Sequence, residues 1–310
     1  MNEKRRDAIE RMAEAFASSS GLPRDLDPSD PGTRAFVDAL PERQRNSLSA
    51  MAGDADTWKI SSSFNAGFGA YLDKIIQARA RGKKLVFIPF NCSPEIFYAL
   101  DMVPLAVEVM NTMGMALEEG LNEYLDLAVE RGLPDTMCSA QRGLVGMMEA
   151  GIVKKPDLLV NGALGCCDPN SKVFEYMSEK FDIPGFYLDI PFYHDQRALD
   201  YYTDEYRRLV AALEEHSGNK LDEDRLRLIC ELSNQATELI MEINELKRHI
   251  PNPVPNYYNG SHLGAKLTLT GTPEAVDFYK TALDVSKDRL ARGVQVLPRE
   301  KVRMMMVYTG

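Results

Sequence analysis

The sequence of 310 residues predicts an α/β fold, in which a parallel sheet is preceded and followed by helical regions. Short, continuous apolar runs begin near residue 84, and such runs suit strands that are buried on both faces of a parallel sheet. Helical spacing of apolar residues separates these runs, and strands that alternate with helices are typical of a doubly wound sheet. The stretches on either side of this region have helical spacing but no such alternation.

The first 82 residues predict an N-terminal helical region. We expect helices over Ala8 to Phe16, roughly Pro31 to Met51, and Phe64 to Arg81. Turn-forming residues from Ser18 to Pro23 separate the first two. This region suits a cap or a contact with another chain.

Segment 83–195 predicts a doubly wound, flavodoxin-like α/β domain. Its four expected strands are the apolar runs that begin at Leu85, Val103, Asp157 and Gly185. Its expected helices begin near Pro94, Arg142 and Ser171. In such sheets ligands bind at the carboxyl ends of the strands, so residues that follow a strand are the first candidates for a site.

Segment 196–300 predicts a helical connecting region with helices over Arg197 to Glu215, Asp222 to His249 and Pro273 to Arg292. Thr272 is the expected N-cap of the last helix, and Gly293 lies beyond its end. Segment 301–310 then predicts a buried strand. A single strand is not a finished domain, so it either joins the first sheet or begins a second α/β domain, and we expect the second.

Composition narrows the class of partner. A net charge of −10 and an isoelectric point near 5.1 argue against binding to nucleic acid or to an anionic membrane, because no basic stripe is available to replace counterions. No signal peptide and no run near the ~18 apolar residues of a membrane span is present. Five cysteines, an odd number, do not form a secreted disulfide framework. We therefore expect a cytoplasmic protein with reduced thiols.

Three cysteines lie beside turns or strand ends: Cys92, Cys138 and Cys167. Gaps of 46 and 29 positions are too long for a local zinc knuckle, yet an α/β sheet brings such loops to one edge. Three converging thiolates indicate an iron–sulfur or zinc site, whereas isolated cysteines are usually packing residues. We interpret Cys166 and Cys230 as packing residues.

Other polar side chains near these cysteines leave two interpretations open. Lys172, Arg142 and Glu95 follow the cysteines by three to five positions, where they would tune the charge of the site or bind an anionic substrate, or else face solvent. His194 follows the fourth strand and is either an acid or base at the site or a surface residue. No Gly-rich phosphate loop is present, which argues against nucleotide hydrolysis by this chain.

The residues around the cysteines form motifs. These are Phe-Asn-Cys-Ser-Pro-Glu-Ile-Phe-Tyr-Ala-Leu-Asp-Met-Val-Pro-Leu from Phe90, Cys138 with Ser139, Arg142, Gly143 and Gly146, Cys167-Asp168 followed by Lys172, and Asp189-Ile-Pro. A further motif is Gly-Thr-Pro-Glu-Ala-Val-Asp-Phe-Tyr from Gly271. With these motifs, the chain resembles the 2-hydroxyacyl-CoA dehydratase and benzoyl-CoA reductase family, of the 2-hydroxyglutaryl-CoA dehydratase D-component type. The resemblance covers the chain from about residue 60.

The resemblance implies an anaerobic enzyme of two homologous subunits, each with a [4Fe–4S] cluster bound by three cysteines, here Cys92, Cys138 and Cys167. It also implies an ATP-dependent activator that donates one low-potential electron. The substrate is then an (R)-2-hydroxyacyl-CoA that loses water through a ketyl radical, or an aryl-CoA whose ring is reduced.

One departure from the family pattern concerns the third ligand. Family members continue into a second α/β domain that we expect to supply a cluster cysteine, so Cys92 and Cys138 are the firmer ligands. Cys167 is either the third ligand or a neighbour of it. Two further hypotheses remain: a non-catalytic cluster-binding or scaffolding subunit, and an α/β protein with a structural zinc.

Overall fold

A computed structural model describes residues 7–13, 30–39, 45, 54–109, 122–162, 167–294 and 302. The helices are α1 (Pro31–Asp38), α2 (Ala55–Gln77), α3 (Glu95–Ala99), α4 (Asn122–Glu130), α5 (Ser139–Glu149), α6 (Asp168–Phe181), α7 (Gln196–Ser217), α8 (Glu223–Leu246), α9 (Tyr257–Thr268) and α10 (Pro273–Arg292). The strands are β1 (Leu85–Ile88), β2 (Val103–Ala106), β3 (Leu158–Asn161) and β4 (Gly185–Tyr187), and a 3₁₀ helix spans Arg79–Arg81. The predicted α/β class is confirmed, whereas the strand predicted for 301–310 falls outside the described residues apart from Val302.

The four strands form one parallel sheet in the order β2-β1-β3-β4. This is the order with which a flavodoxin-like sheet begins. All residues of β1, β2 and β3 are buried, as expected when layers cover both faces of a parallel sheet. Pro104 lies in β2, at an end of this strand order, where a residue without an N–H is tolerated. The carboxyl ends of all four strands share one edge.

The described parts of segments 1–12 and 72–227 form one compact unit that contains the sheet. Its core joins the strands to the helices through fully buried aromatic rings such as Phe87, Phe97 and Phe174. Helices α4 and α5 approach so closely that a Cβ added at Gly146 would lie 1.8 Å from the Tyr124 carbonyl oxygen. The cysteine-bearing loops are therefore attached to a well-packed scaffold.

The described parts of segments 13–71 and 228–309 form a second compact unit, which is helical. Trp58, Phe68, Tyr258 and Phe278 are buried in its core. The buried Arg289 guanidinium donates to the Pro253 carbonyl and pairs with a carboxylate of α2. The boundaries predicted at residues 82, 195 and 300 stay predictions.

Helix α2 begins nine residues before the predicted start at Phe64, so that prediction is wrong. The prediction failed because a run of three serines is polar in the sequence, whereas the structure buries all three side chains. Ser61 and Ser62 donate to the carbonyls of Trp58 and Lys59, and Ser63 donates to Asp277. Hydroxyls that find acceptors in or beside a helix are compatible with burial.

Candidate metal centre

Cys92 lies in the loop that follows β1. Its N–H donates to the Pro89 carbonyl over 3.0 Å, and its side chain is buried. The neighbouring Asn91 donates through Nδ2 to the Gly162 carbonyl over 2.9 Å, directly after β3. The Cys92 sulfur would lie 3.8 Å from a Cβ at Gly162. Cys92 therefore sits at the carboxyl edge of the sheet, beside the ends of β1 and β3.

Cys138 and Cys167 occupy equivalent places at the starts of α5 and α6. Each is the residue before the first helical residue, and neither thiol caps its helix. The Cys138 side chain is exposed, and that of Cys167 is partly exposed. Both sulfurs therefore lie at a helix N-terminus, and their role as metal ligands stays a prediction.

The carboxylate of Glu108, two residues after β2, connects these two helices. Its Oε1 accepts from Gln141 Nε2 over 3.2 Å and from Asn170 Nδ2 over 2.7 Å. Burial raises the pKa of Glu108, against the opposing effect of the hydrogen bonds that it accepts. Glu108 was not among the predicted site residues, although an acidic residue two positions after a buried strand was a usable signal.

Aromatic hydroxyls of α7 lie near Cys92. Burial raises the pKa of Tyr206 far above its usual value, and the Tyr206 hydroxyl is hydrogen-bonded to Ser93 and to Tyr202. Burial also raises the pKa of the Cys92 thiol to about 12, and the charge of Glu95 adds to this effect. Without a metal, Cys92 is thus a protonated thiol near neutral pH, and metal binding would displace its proton.

Cys92 follows β1, Cys167 follows β3, and Cys138 precedes helix α5, whose first turn contacts Glu108 after β2, so all three lie toward the carboxyl edge of the sheet. Within the described ranges, however, no three His, Cys, Asp or Glu side chains form a ready-made metal-ligand group. The four described cysteines are all thiols rather than disulfides. The donor chemistry, three thiol sulfurs, therefore fits an iron–sulfur cluster, while the side chains do not yet surround a common point. The assignment of the three ligands stays a prediction.

The remaining candidates are exposed, have local partners or act on Cys92 through their charge. Lys172 is exposed and pairs with Glu175 over 3.1 Å, and Arg142 Nε donates to the Met137 carbonyl over 3.1 Å. His194 is exposed. Glu95 opens α3 and acts on Cys92 through its charge. Lys172 and His194 are thus exposed, and a role for either in the site stays a prediction.

The prediction that Cys230 is a packing residue is wrong, because its side chain is exposed. In α8 the buried residues are Ile229, Ala236 and Ile243, which recur every seven positions. Cys230 lies one position beyond this stripe and is rotated away from it. Cys166 lies outside the described residues.

The sequence model of the 2-hydroxyglutaryl-CoA dehydratase D-component family matches residues 89–310, which include all three candidate cysteines. The chain belongs to this family. Among the described residues, no helix has both the length and the apolar character needed to cross a membrane.

Three relatives, one dehydratase subunit and two benzoyl-CoA reductase subunits, agree with the assignment. The chain is 23% identical to the (R)-phenyllactyl-CoA dehydratase alpha subunit of Clostridium sporogenes, over 70% of this chain and 55% of the relative. It is 26% identical to one benzoyl-CoA reductase subunit of Thauera aromatica, over 71% and 54%. It is 29% identical to another subunit of that reductase, over 74% and 54%. The chain thus spans about half the length of these relatives.

Proposed function

We propose that the chain is a subunit of an iron–sulfur, CoA-thioester-dependent enzyme, an (R)-2-hydroxyacyl-CoA dehydratase. Water is eliminated after one-electron reduction of the substrate by an ATP-dependent activator, and the chain works as a heterodimer with a homologous second subunit in the cytoplasm. The observation that carries the proposal is the family match over residues 89–310, a segment that includes Cys92, Cys138 and Cys167.

The cluster ligands in this proposal are Cys92, Cys138 and Cys167. When bound by three thiolates, a [4Fe–4S] cluster supplies electron transfer and one iron with an open position for a substrate oxygen. Cys138 and Cys167 each directly precede a helix, so both sulfurs lie at a helix N-terminus. The Cys92 side chain is buried, so this sulfur has little access to water. The expectation that a second α/β domain supplies a cluster cysteine stays an expectation.

A benzoyl-CoA reductase-type subunit is the second candidate. The observation in its favour is the identity of 26% and 29% to two benzoyl-CoA reductase subunits, against 23% to the phenyllactyl-CoA dehydratase subunit. The same cysteines would then hold a cluster that passes electrons to an aryl-CoA ring. Substrate chemistry separates the two candidates, whereas metal content does not.

Anaerobic purification followed by iron and sulfide analysis tests the cluster. We expect about four irons and four sulfides per chain and a brown absorbance, characteristic of a [4Fe–4S] cluster. Cys92→Ser, Cys138→Ser and Cys167→Ser should each lower the iron content. Cys230→Ser, which alters an exposed cysteine of α8, is the matched control and should keep it. Full iron content in one of the first three variants removes that residue from the ligand set.

Activity assays then decide the reaction. The chain, its homologous partner, the activator and ATP would be incubated with an (R)-2-hydroxyacyl-CoA or with benzoyl-CoA. Dehydration of the first supports the dehydratase, and reduction of the second supports the reductase. Iron without either activity supports a non-catalytic cluster-binding or scaffolding subunit, and zinc in place of iron supports a structural-zinc protein.

A further inference from the structure

We infer that Glu108 is a positioning residue for the pair Cys138 and Cys167, and that its carboxylate fixes the separation of these two thiols for the metal group. The inference rests on the proposed function, in which both cysteines bind one cluster. Glu108 itself would touch neither the cluster nor the substrate. It would act through the first turns of the helices that follow the cysteines.

The sequence register of the two helices supports this role. Gln141 lies three positions after Cys138, and Asn170 lies three positions after Cys167. Each is therefore the third residue of its helix, and each directs its amide nitrogen to the same oxygen, Oε1 of Glu108. Two separate helix starts are thus attached at equivalent positions to one atom.

The hydrogen bonds from Gln141 and Asn170 to Glu108 are hard to replace because both amides are buried. Gln141 is 2% exposed and Asn170 is 1% exposed, so an amide that loses Glu108 has little access to water. A buried polar group without its partner costs free energy, so the surrounding structure has to move until the amide finds another acceptor. Movement of either first turn displaces the adjacent cysteine, because the cysteine is the residue that immediately precedes the helix.

The backbone conformations of the two cysteines differ, since Cys138 has φ −47° and ψ 126°, whereas Cys167 has φ −144° and ψ 101°. What the two sites share is the helix that follows each cysteine and the contact of its third residue with Glu108. Residues that orient metal ligands commonly affect metal affinity nearly as strongly as the ligands do.

The test compares Glu108→Ala with Glu108→Gln in the anaerobically loaded full-length chain. Alanine removes the acceptor of both amides, whereas glutamine keeps one side-chain oxygen at this place. Glu130→Ala and Glu130→Gln are matched controls, since Glu130 is an exposed glutamate of the neighbouring helix α4. The readouts are the rate of iron release to a ferrous chelator, the electron paramagnetic resonance spectrum of the reduced cluster, and the folded fraction from circular dichroism.

We expect Glu108→Ala to release iron about tenfold faster or more, with an altered resonance spectrum and an unchanged folded fraction. Glu108→Gln should stay closer to the unchanged chain, and both Glu130 variants should match it. If Glu108→Ala fails to fold, Gln141→Ala and Asn170→Ala each remove one arm and should each speed iron release. Unchanged release in every foldable variant overturns the inference.

Failure of the proposed function gives a different result. If the unchanged chain takes up no iron, the cluster is absent, and Cd²⁺ titration of the thiols then tests Glu108 alone. Cadmium–thiolate absorbance should be weaker in Cys138→Ser and should need about tenfold more Cd²⁺ in Glu108→Ala. Equal Cd²⁺ affinity in Glu108→Ala and the unchanged chain overturns the positioning role.

Discussion

Cys92 is buried and Cys138 is exposed, so the two thiols differ in reactivity. The thiolate is the reactive form, and the pKa of about 12 at Cys92 leaves only ~1 thiol in 10⁴ ionised near pH 8. The Cys138 side chain is exposed. We therefore expect iodoacetamide to modify Cys138 of the metal-free chain at least about tenfold faster than Cys92, as measured by peptide mass spectrometry.

The control for this prediction is the unfolded chain. In guanidinium chloride the difference between the two cysteines should nearly vanish, because both thiols then share the same solvent. Equal modification rates in the folded chain would show that the Cys92 thiol is not held in the buried position that the structure gives it.

His262 makes the second compact unit sensitive to acid. Burial lowers the pKa of this imidazole to about 4, and the charges of Lys247 and Lys266 add to the effect. The folded-state pKa is thus below the ordinary value of 6.5, so the unfolded chain binds a proton first as the pH falls. This contribution to stability is complete above pH 6.5 and is lost between pH 6.5 and about 4.

Urea unfolding at a series of pH values measures this effect. His262→Gln should remove a pH-dependent loss of about 2 kcal/mol or less, a limit set low because the imidazole is only partly buried. The exposed His194→Gln variant should keep the pH dependence of the unchanged chain. A similar pH profile for both variants would contradict the role of His262.

At the scale of elements, local sequence signals predicted much of the fold. The four strands lie within the four predicted apolar runs. Helix α10 spans Pro273–Arg292 as predicted, with Thr272 Oγ1 accepting from the Ala275 N–H and Gly293 at φ 67°. These signals are readable because caps and apolar runs depend on neighbouring residues alone. The start of α2 was not readable, since its serines take partners that the local pattern does not reveal.

The close contact between α4 and α5 predicts that one added methyl group, in Gly146→Ala, destabilises the chain. Gly146→Ala would place a Cβ 1.8 Å from the backbone oxygen of Tyr124, and backbone cannot move aside as a flexible side chain can. We expect a loss of about 1–3 kcal/mol in the free energy of unfolding, measured by urea denaturation. Because α5 begins directly after Cys138, iron retention should fall as well.

Gly260→Ala is the control for this change. Gly260 lies in α9, and an added Cβ there meets nothing within 4 Å. Alanine at a helical position with open space should leave stability unchanged or raise it by up to about 1 kcal/mol. A loss of stability for Gly260→Ala equal to that for Gly146→Ala would show that the close approach of α4 and α5 is not the cause.

At the scale of the whole molecule, the sheet topology explains why the site was only partly predictable. Parallel strands end at one edge, and this rule alone is enough to predict Cys92, Cys138 and Cys167 in one region. The hydrogen bonds that Gln141 and Asn170 donate to Glu108 depend on how helices α5 and α6 are rotated. No local sequence pattern encodes this rotation. The ligand geometry depends further on the metal itself, because thiolate ligands and their metal organise each other on binding.

Metal loading should therefore change the stability of the chain. A group that binds the folded chain alone stabilises it by mass action, by ~3 kcal/mol at a hundredfold excess over the dissociation constant. We expect anaerobic loading with iron and sulfide to raise the urea midpoint of the ellipticity at 222 nm. Cys138→Ser should lose most of this increase, whereas Cys230→Ser should keep it. If loading raises the midpoint equally in Cys138→Ser, the stabilisation comes from metal bound elsewhere, and the thiols at the carboxyl edge of the sheet are not its ligands.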